Sequence, residues 1–270
     1  MSKVWFITGT STGFGRQFVE QLIHTEDKIV ATARNLDSIA DLKEKAPERV
    51  HITKLDVTKK EQVKQAVHEA VEVFGRIDVV VNNAGYGLFG MLEEYTDEQI
   101  RQQFDVNVFG MLDVIRETLP VLKKQGAGHY VNISSVFGVW AIPAYSIYAA
   151  SKFAVEGFSK AMASELEPFG IKTTIVEPGI FQTEFMGNSR VLAEPLPEYK
   201  PIYEAFDKSY AEVKKGDQQK AVEAIIAMVQ SSNPPVHFPV GSVATYGIRD
   251  VLRKRIDEVE VWEKVSLIAD

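Results

Sequence analysis

The 270-residue chain contains no cysteine. Disulfides, thiolate catalysis and cysteine-ligated metals are therefore excluded. The five histidines, at positions 24, 51, 68, 129 and 237, are scattered without the spacing of metal ligands, so we expect no metal site.

Long hydrophobic runs and basic stripes are also missing. No apolar run reaches the ~18 residues that span a bilayer, and the N-terminus shows no cleavable signal pattern, so we expect a cytoplasmic protein with no membrane contact. A net charge of −7 argues against nucleic acid as a partner. With 45% apolar residues the chain can bury a large core, and we expect one domain over residues 1–270.

Short apolar runs alternate with helical patterns along the chain. Strand-like runs lie at 3–8, 28–33, 50–55, 77–82, 129–134, 171–176 and 236–240. Helical patterns lie at 37–46, 59–74, 97–122, 147–167 and 217–231. This alternation predicts an α/β fold, a Rossmann-like doubly wound parallel sheet of about seven strands with helices on both faces.

Three glycines, Gly9, Gly13 and Gly15, follow the first strand directly and precede a helical pattern. Such a turn lets the backbone approach a pyrophosphate, and the helix N-terminus offers unpaired N–H groups and a partial positive charge. The alternative is a tight turn whose glycines only permit close packing of helix on sheet. Because strand, turn and helix occur in order, we expect nucleotide binding.

Tyr148 and Lys152 are four residues apart in the predicted helix 147–167. Residues at this spacing lie on one helix face, about 6 Å apart along the axis. A nearby cation favours the phenolate, so Lys152 could lower the pKa of Tyr148 from its usual value of about 10 and make it an acid-base group. Taken alone, the pair also fits a solvated helix face.

Six ordered motifs resemble those of the short-chain dehydrogenase/reductase family. In chain order they are Thr8-Gly9-x-x-x-Gly13-x-Gly15, Asn82-Asn83-Ala84-Gly85, Asn107, Ser135 thirteen residues before the tyrosine, Tyr148-x-x-x-Lys152, and Pro178-Gly179 with Thr183. The resemblance implies an NAD(P)-dependent oxidoreductase of the carbonyl reductase or alcohol dehydrogenase type. It does not define the substrate.

The resemblance also implies residue roles. Tyr148 would be the acid/base, Ser135 would help to hold the carbonyl oxygen, Lys152 would tune Tyr148 and bind the ribose, and Asn107 would hold a water that links Lys152 to solvent. Ser134 is the alternative to Ser135, although its side chain should face the other way. The expected substrate residues are Ser135 and Tyr148, together with Tyr145 as an aromatic neighbour. The implied cofactor-binding residues are Gly9, Ser11, Thr12, Gly13, Phe14, Gly15, Arg34, Asp56, Val57, Asn83, Ala84, Gly85, Tyr148, Lys152, Pro178, Gly179 and Thr183.

The end of the second strand predicts the cofactor. NAD-preferring enzymes usually place an acid there, whereas a cation accommodates the 2′-phosphate of NADP. Ala33 and Arg34 therefore favour NADP(H), unless Arg34 is only a solvated loop charge. Asp56, followed by Val57, resembles an adenine contact, but Asp56 could equally cap the helix that begins near residue 59.

Apolar and aromatic residues near the motifs predict a hydrophobic ketone, aldehyde or alcohol as substrate, with core packing as the alternative for each side chain. They are Val136, Phe137, Val139, Trp140, Ile142, Tyr145, Phe181, Phe185 and Met186. Residues from about 180 to 215 form the expected substrate loop, in which 187–199 is either a mobile lid or an inert surface loop.

The last segment, 248–270, carries apolar residues at three-residue spacing beside many charges. We expect this C-terminal helical extension to pack against its own core, rather than to cap the cleft or meet another subunit. By the resemblance, a homodimer or homotetramer would form through the helices at 97–122 and 147–167.

Two other functions remain open from the sequence. A nucleotide-binding sensor or scaffold without turnover would be expected to lose part of the Ser-Tyr-Lys set. An epimerase or dehydratase of the same superfamily would generally need a longer C-terminal substrate domain.

Overall fold

The computed structural model describes residues 2–182 and 190–269. The described strands are β1 Val4–Ile7, β2 Lys28–Ala33, β3 Val50–Lys54, β4 Val79–Asn82, β5 Gly87–Phe89, β6 Gly128–Ile133, β7 Ile171–Pro178, β8 Arg190–Leu192 and β9 His237–Val240. Seven of these form one parallel sheet in the order β3-β2-β1-β4-β6-β7-β9, and β5 and β8 pair separately, also in parallel. The strand order reverses between β1 and β4, so the predicted doubly wound sheet is confirmed.

The described helices are α1 Gly13–Leu22, α2 Ala40–Lys45, α3 Lys60–Phe74, α4 Asp97–Phe104, α5 Met111–Gln125, α6 Ser146–Leu166, α7 Lys200–Glu212, α8 Gln218–Gln230 and α9 Ser242–Ser266. Buried apolar residues of α1, α2 and α8 pack on one face of the sheet, and those of α3, α5 and α6 pack on the other.

Alternation along β1 explains why both faces are covered. Trp5 and Ile7 belong to the core under α1 and α8, whereas Phe6 belongs to the core under α3 and α5. All three side chains are fully buried. Successive residues of a strand point to opposite faces, so a continuous apolar run needs a helical layer on each side.

Three predicted elements need correction. The helix expected at 97–122 consists of α4, a π-helical segment Asp105–Gly110, and α5. The described part of the expected loop at 187–199 contains regular structure. In it β8 pairs with β5, and Pro197–Tyr199 forms a 3-10 turn. α7, inside the expected substrate loop, was not predicted at all.

The packing of the C-terminal extension differs from the prediction. Ala244 and Ile248 of α9 pack against Val136, but every residue from 252 to 269 is exposed. The expectation that this segment covers its own core is therefore wrong.

Candidate active site

A cleft of about 880 Å³ opens at the carboxyl ends of the main-sheet strands. Of the predicted catalytic, cofactor and substrate residues that the structure describes, all but Gly15 and Asn107 line it. Thr183 lies outside the described residues. The cleft lies where the strand order reverses, the usual ligand position in a doubly wound sheet.

The glycine turn has a shape that other residues could not adopt. Gly9 and Gly13 have φ angles of +70° and +57°, and a Cβ on Gly15 would lie 2.2 Å from the Gly9 oxygen. A Cβ on Gly13, in contrast, would meet nothing within 4 Å, so the backbone there is open to the cleft. Thr12 makes no side-chain cap at the start of α1. These features suit a pyrophosphate held by the first N–H groups of the helix.

Asn83 holds this turn in place from the end of β4. Its amide nitrogen donates to the main-chain oxygens of Thr8 and Gly9, at 3.0 and 2.9 Å. The main-chain N–H groups of Asn83 and Ala84 both donate to the Thr8 hydroxyl at 3.0 Å. The Asn83-Ala84 motif thus fixes the backbone that would face the cofactor.

Arg34 lies on the rim of the cleft, directly after the buried Ala33 that ends β2. Its side chain is exposed, and none of the described carboxylates forms an ion pair with it. Asp56, which also lines the cleft, does not cap α3. Its carboxylate accepts hydrogen bonds from the N–H and hydroxyl of Thr58, at 3.0 and 2.8 Å, and so shapes the turn that precedes the helix.

Tyr148 and Lys152 lie on the buried face of α6, where both side chains are more than nine-tenths buried. Burial raises the pKa of Tyr148, while a hydrogen bond with Ser135 lowers it. Burial lowers the pKa of Lys152 to about 8, against the attraction of Glu156. The Lys152 ammonium lies 5.8 Å from the centre of the Tyr148 ring. In this structure burial has the larger effect, so the pKa of Tyr148 is raised above its usual value. That Lys152 lowers this pKa remains a prediction.

The hydroxyls of Ser135 and Ser134 have different surroundings. The Ser135 hydroxyl accepts a hydrogen bond from the Phe137 N–H at 3.1 Å and pairs with Tyr148. The Ser134 hydroxyl is buried near Gly138 without a hydrogen-bond partner among the described residues. Only Ser135 is thus tied to the tyrosine.

Asn107 lies behind the cleft rather than in it. Its amide accepts from the N–H of Tyr86 at 3.1 Å and donates to the Tyr86 oxygen at 3.0 Å and the Ser151 hydroxyl at 3.3 Å. The residue belongs to the π-helical segment, which places a fully buried amide beside α6. It therefore joins the segment after β4 to the helix that carries Tyr148 and Lys152.

An aromatic cluster surrounds Tyr148. The Phe89 ring stacks on Tyr148 at 6.3 Å between centroids, and Tyr145 contacts Phe89, Phe137 and Phe206 at 4.5, 4.6 and 5.3 Å. The predicted apolar residues that line the cleft are Val136, Phe137, Trp140, Ile142, Tyr145 and Phe181. Val139 packs in the core beside Ile248, and Phe185 and Met186 lie outside the described residues.

Sequence reasoning missed the contribution of α7. Phe206 and Tyr210 of this helix line the cleft, and the hydroxyls of Tyr199 and Tyr203 hydrogen-bond Glu93 and Glu94. The apolar spacing of residues 202, 203, 206 and 210 is a helical signal that could have revealed it. α7 is therefore attached to the segment after β5 as one wall of the cleft.

Sequence reasoning also missed a charged group next to Lys152. Glu156, Glu177 and His237 bring their carboxylate oxygens and ring nitrogen within 4.8 Å of one another. Hydrogen bonds to Glu156 and Glu177 raise the pKa of His237 to about 9. An imidazolium that pairs with two carboxylates accounts for this group, since a metal would require the neutral ring.

Comparison with known proteins defines the class. A family model for short chain dehydrogenases matches residues 3–192. The chain is 34% identical to oxidoreductase BOA17 of Botryotinia fuckeliana over 99% of both chains, and 35% identical to a 3-ketodihydrosphingosine reductase of Bacteroides thetaiotaomicron over 88% of both. A short-chain dehydrogenase from Streptomyces avermitilis superposes with a TM-score of 0.94 at 35% identity, covering 100% of this chain and 98% of that one.

The protein is thus an oxidoreductase, and it belongs to the short-chain dehydrogenase/reductase family. Two solved relatives are each 25% identical to this chain. The one from Burkholderia phymatum is in complex with NAD, and the one from Burkholderia cenocepacia is in complex with NADP. Their TM-scores are 0.80 and 0.77, and each alignment covers at least 95% of both chains. None of the described helices combines the length and the apolar composition of a membrane-spanning segment.

Proposed function

We propose that this protein is an NADP(H)-dependent oxidoreductase that interconverts a hydrophobic ketone or aldehyde and its alcohol. The observation that carries the proposal is the placement of Ser135, Tyr148 and Lys152 in the same cleft as the glycine turn. A bound nicotinamide nucleotide and a substrate carbonyl could thus lie next to each other at the buried hydroxyls of Ser135 and Tyr148.

The residues of the cleft fit the cofactor. The open backbone at Gly13 and the N-terminus of α1 would hold the pyrophosphate, and Arg34 would hold the 2′-phosphate. Lys152 would bind the nicotinamide ribose, and Pro178 and Gly179 would border the nicotinamide. When bound, the cofactor supplies or accepts the hydride.

Tyr148 would act as the general acid that donates the proton. Because burial raises its pKa, the hydroxyl stays protonated at neutral pH and can donate to a carbonyl oxygen in the reductive direction. Ser135, already paired with Tyr148, would donate a second hydrogen bond to that oxygen. Lys152, with a pKa of about 8, is mostly charged at neutral pH and would stabilise the phenolate that remains. We keep Asn107 in the role of holding a water that reaches Lys152.

The walls of the cleft support a hydrophobic substrate. The rings of Phe137, Tyr145 and Phe206 line the cleft beside Tyr148, where a long apolar chain or ring could bind. One relative is named for the reduction of 3-ketodihydrosphingosine, a keto compound. We further propose a cytoplasmic enzyme that acts on a small molecule and forms a homodimer or homotetramer.

Loss of reduced cofactor absorbance, followed with NADPH and NADH against aliphatic, aromatic and long-chain carbonyls, tests the proposal. Tyr148→Phe should lower turnover by about 10²- to 10⁴-fold while NADPH binding, measured by fluorescence, stays within about threefold. Tyr246→Phe, which changes an exposed tyrosine on α9, is the matched control. Tight NADPH binding without turnover on any carbonyl would instead favour a sensor or scaffold.

A further inference from the structure

The outer part of α9 projects from the body of the protein. Ala244 and Ile248 are its last buried residues, and all described residues beyond 251 are exposed. Its exposed large apolar side chains are Leu252, Ile256, Val259, Val261, Trp262 and Val265, and Leu267 and Ile268 follow in a 3-10 turn. A patch of this kind on a helix commonly marks an interaction surface.

Four of these residues form a continuous stripe. Leu252, Ile256, Val259 and Trp262 follow one another at intervals of four, three and three residues. At 100° per residue they fall within roughly 120° of one helix face. A face of this width is typical of a helix that packs against another element.

The charges on α9 are separated along its length. Its first half carries Arg249, Arg253, Lys254 and Arg255 with one acid, whereas its second half carries Asp257, Glu258, Glu260 and Glu263 with one lysine. Among the described residues, only Arg249 of these forms a salt bridge, with its neighbour Asp250. A second α9 running in the opposite direction would place each basic half against an acidic half.

We propose that α9 pairs antiparallel with the α9 of a second copy of this chain, through the stripe Leu252–Trp262. With Asp257 at the two-fold axis, Leu252 of one copy faces Trp262 of the other. In this register Arg253 and Glu260, and likewise Arg255 and Glu258, come within one residue of facing each other. The apolar stripe and the charge pattern therefore both favour antiparallel pairing, within one residue of the same alignment.

The same charges argue against other arrangements. Parallel pairing would put the three consecutive cations at 253–255 against themselves. A membrane surface would have to accept the acidic half of the helix close to anionic lipid, which is unfavourable. A second copy in antiparallel orientation satisfies both halves.

Charge reversal tests the pairing. Arg253→Glu and Glu260→Arg each place like charges together in the pair, and should weaken self-association at least tenfold by sedimentation equilibrium. The equimolar mixture of the two variants, and the double variant, should restore it. Both sites are exposed and neither lines the cleft, so NADPH binding serves as a folding control. Unchanged association in both single variants would overturn the proposal.

Cysteine cross-linking tests the direction, because the chain has no cysteine of its own. In the antiparallel register two Ile256→Cys residues lie about 3 Å apart along the axis, whereas two Leu252→Cys residues lie about 15 Å apart. Ile256→Cys should form an intermolecular disulfide, and Leu252→Cys should do so only when mixed with Trp262→Cys. Self-cross-linking of both single variants would indicate parallel pairing and contradict the proposal. Cosedimentation of the wild type with phosphatidylserine vesicles, without any cross-linking, would assign the stripe to a membrane instead.

Discussion

The ammonium of Lys152 donates a hydrogen bond to the main-chain oxygen of Ile133, 2.9 Å away. Ile133 ends β6, and Ser135 follows two residues later. The bond therefore ties the helix that carries Tyr148 to the strand end that carries Ser135. It also gives a buried cation one fixed partner, and leaves its other two protons for ligands in the cleft.

Loss of this charge should be visible in the pH profile. Burial lowers the pKa of Lys152 to about 8, so the ammonium is present below that pH and disappears above it. We expect kcat/KM for carbonyl reduction to fall about tenfold per pH unit above pH ~8. Lys152→Arg, which keeps its charge, should be less active but lack this break. A profile that is flat to pH 10 in the wild type would contradict the role of Lys152.

Replacement of Arg34 tests the cofactor preference. If the guanidinium holds the 2′-phosphate, Arg34→Ala removes a charged hydrogen bond worth about 1.5–3 kcal/mol and should weaken NADPH binding about 10- to 100-fold. NADH has no such phosphate, and its binding should change less than about threefold. Calorimetric titration with both cofactors measures the two effects. Equal losses for both would assign Arg34 to general charge attraction.

Removal of one hydroxyl should loosen α7. The Tyr203 hydroxyl donates to Glu94, which also accepts the N–H groups of Met91 at 2.6 Å and Leu196 at 2.8 Å. Tyr203→Phe leaves those two hydrogen bonds in place, but it removes the one between α7 and Glu94. The position of α7, which carries Phe206 at the cleft, should then be less well fixed. We expect KM for the carbonyl to rise about three- to tenfold, with kcat and NADPH affinity nearly unchanged. A pure loss of kcat would show that α7 does not bind substrate.

His237 links stability to pH. Its pKa, raised to about 9 by Glu156 and Glu177, exceeds the ordinary 6.5, so its stabilisation is full below pH ~6.5 and is lost as pH rises through 9. The ring is partly exposed, and solvent screening limits the effect to about 1 kcal/mol, or about 2–4 °C in melting temperature. His237→Asn should melt earlier than the wild type at pH 6 to 7 and equally above pH 9.5.

The exposed His24→Asn is the control for that experiment. It should leave the melting temperature unchanged at every pH. A deficit in His237→Asn that persists above pH 9.5 would mean that packing, rather than charge, holds β9 to β7.

The main sheet could be predicted because its information is local. Each strand is a short apolar run, and the continuous burial of Trp5, Phe6 and Ile7 requires helices on both faces. The strand ends that carry Gly9, Asn83, Ser135 and Pro178 then meet at one edge of the sheet, so the sequence also predicted which residues share the cleft.

The remaining features depend on distant contacts. β5 and β8 have three residues each, and Leu88 pairs with Val191 about a hundred residues away, so neither shows a pattern of its own. The charged group at His237 joins three elements in the same way. The packing of α9 was mispredicted for a different reason. An amphipathic pattern indicates that the apolar face of a helix packs against something, but it does not indicate whether that is the same chain or another molecule.

Isotope transfer tests the central claim most directly. With NADPH deuterated at the nicotinamide C4 position and a long-chain ketone, the alcohol product should gain one mass unit at the carbon that bore the carbonyl. With Tyr148→Phe in place of the wild type, labelled alcohol should form about 10²- to 10⁴-fold more slowly. Unlabelled alcohol, with deuterium released to water, would contradict direct hydride transfer in this cleft.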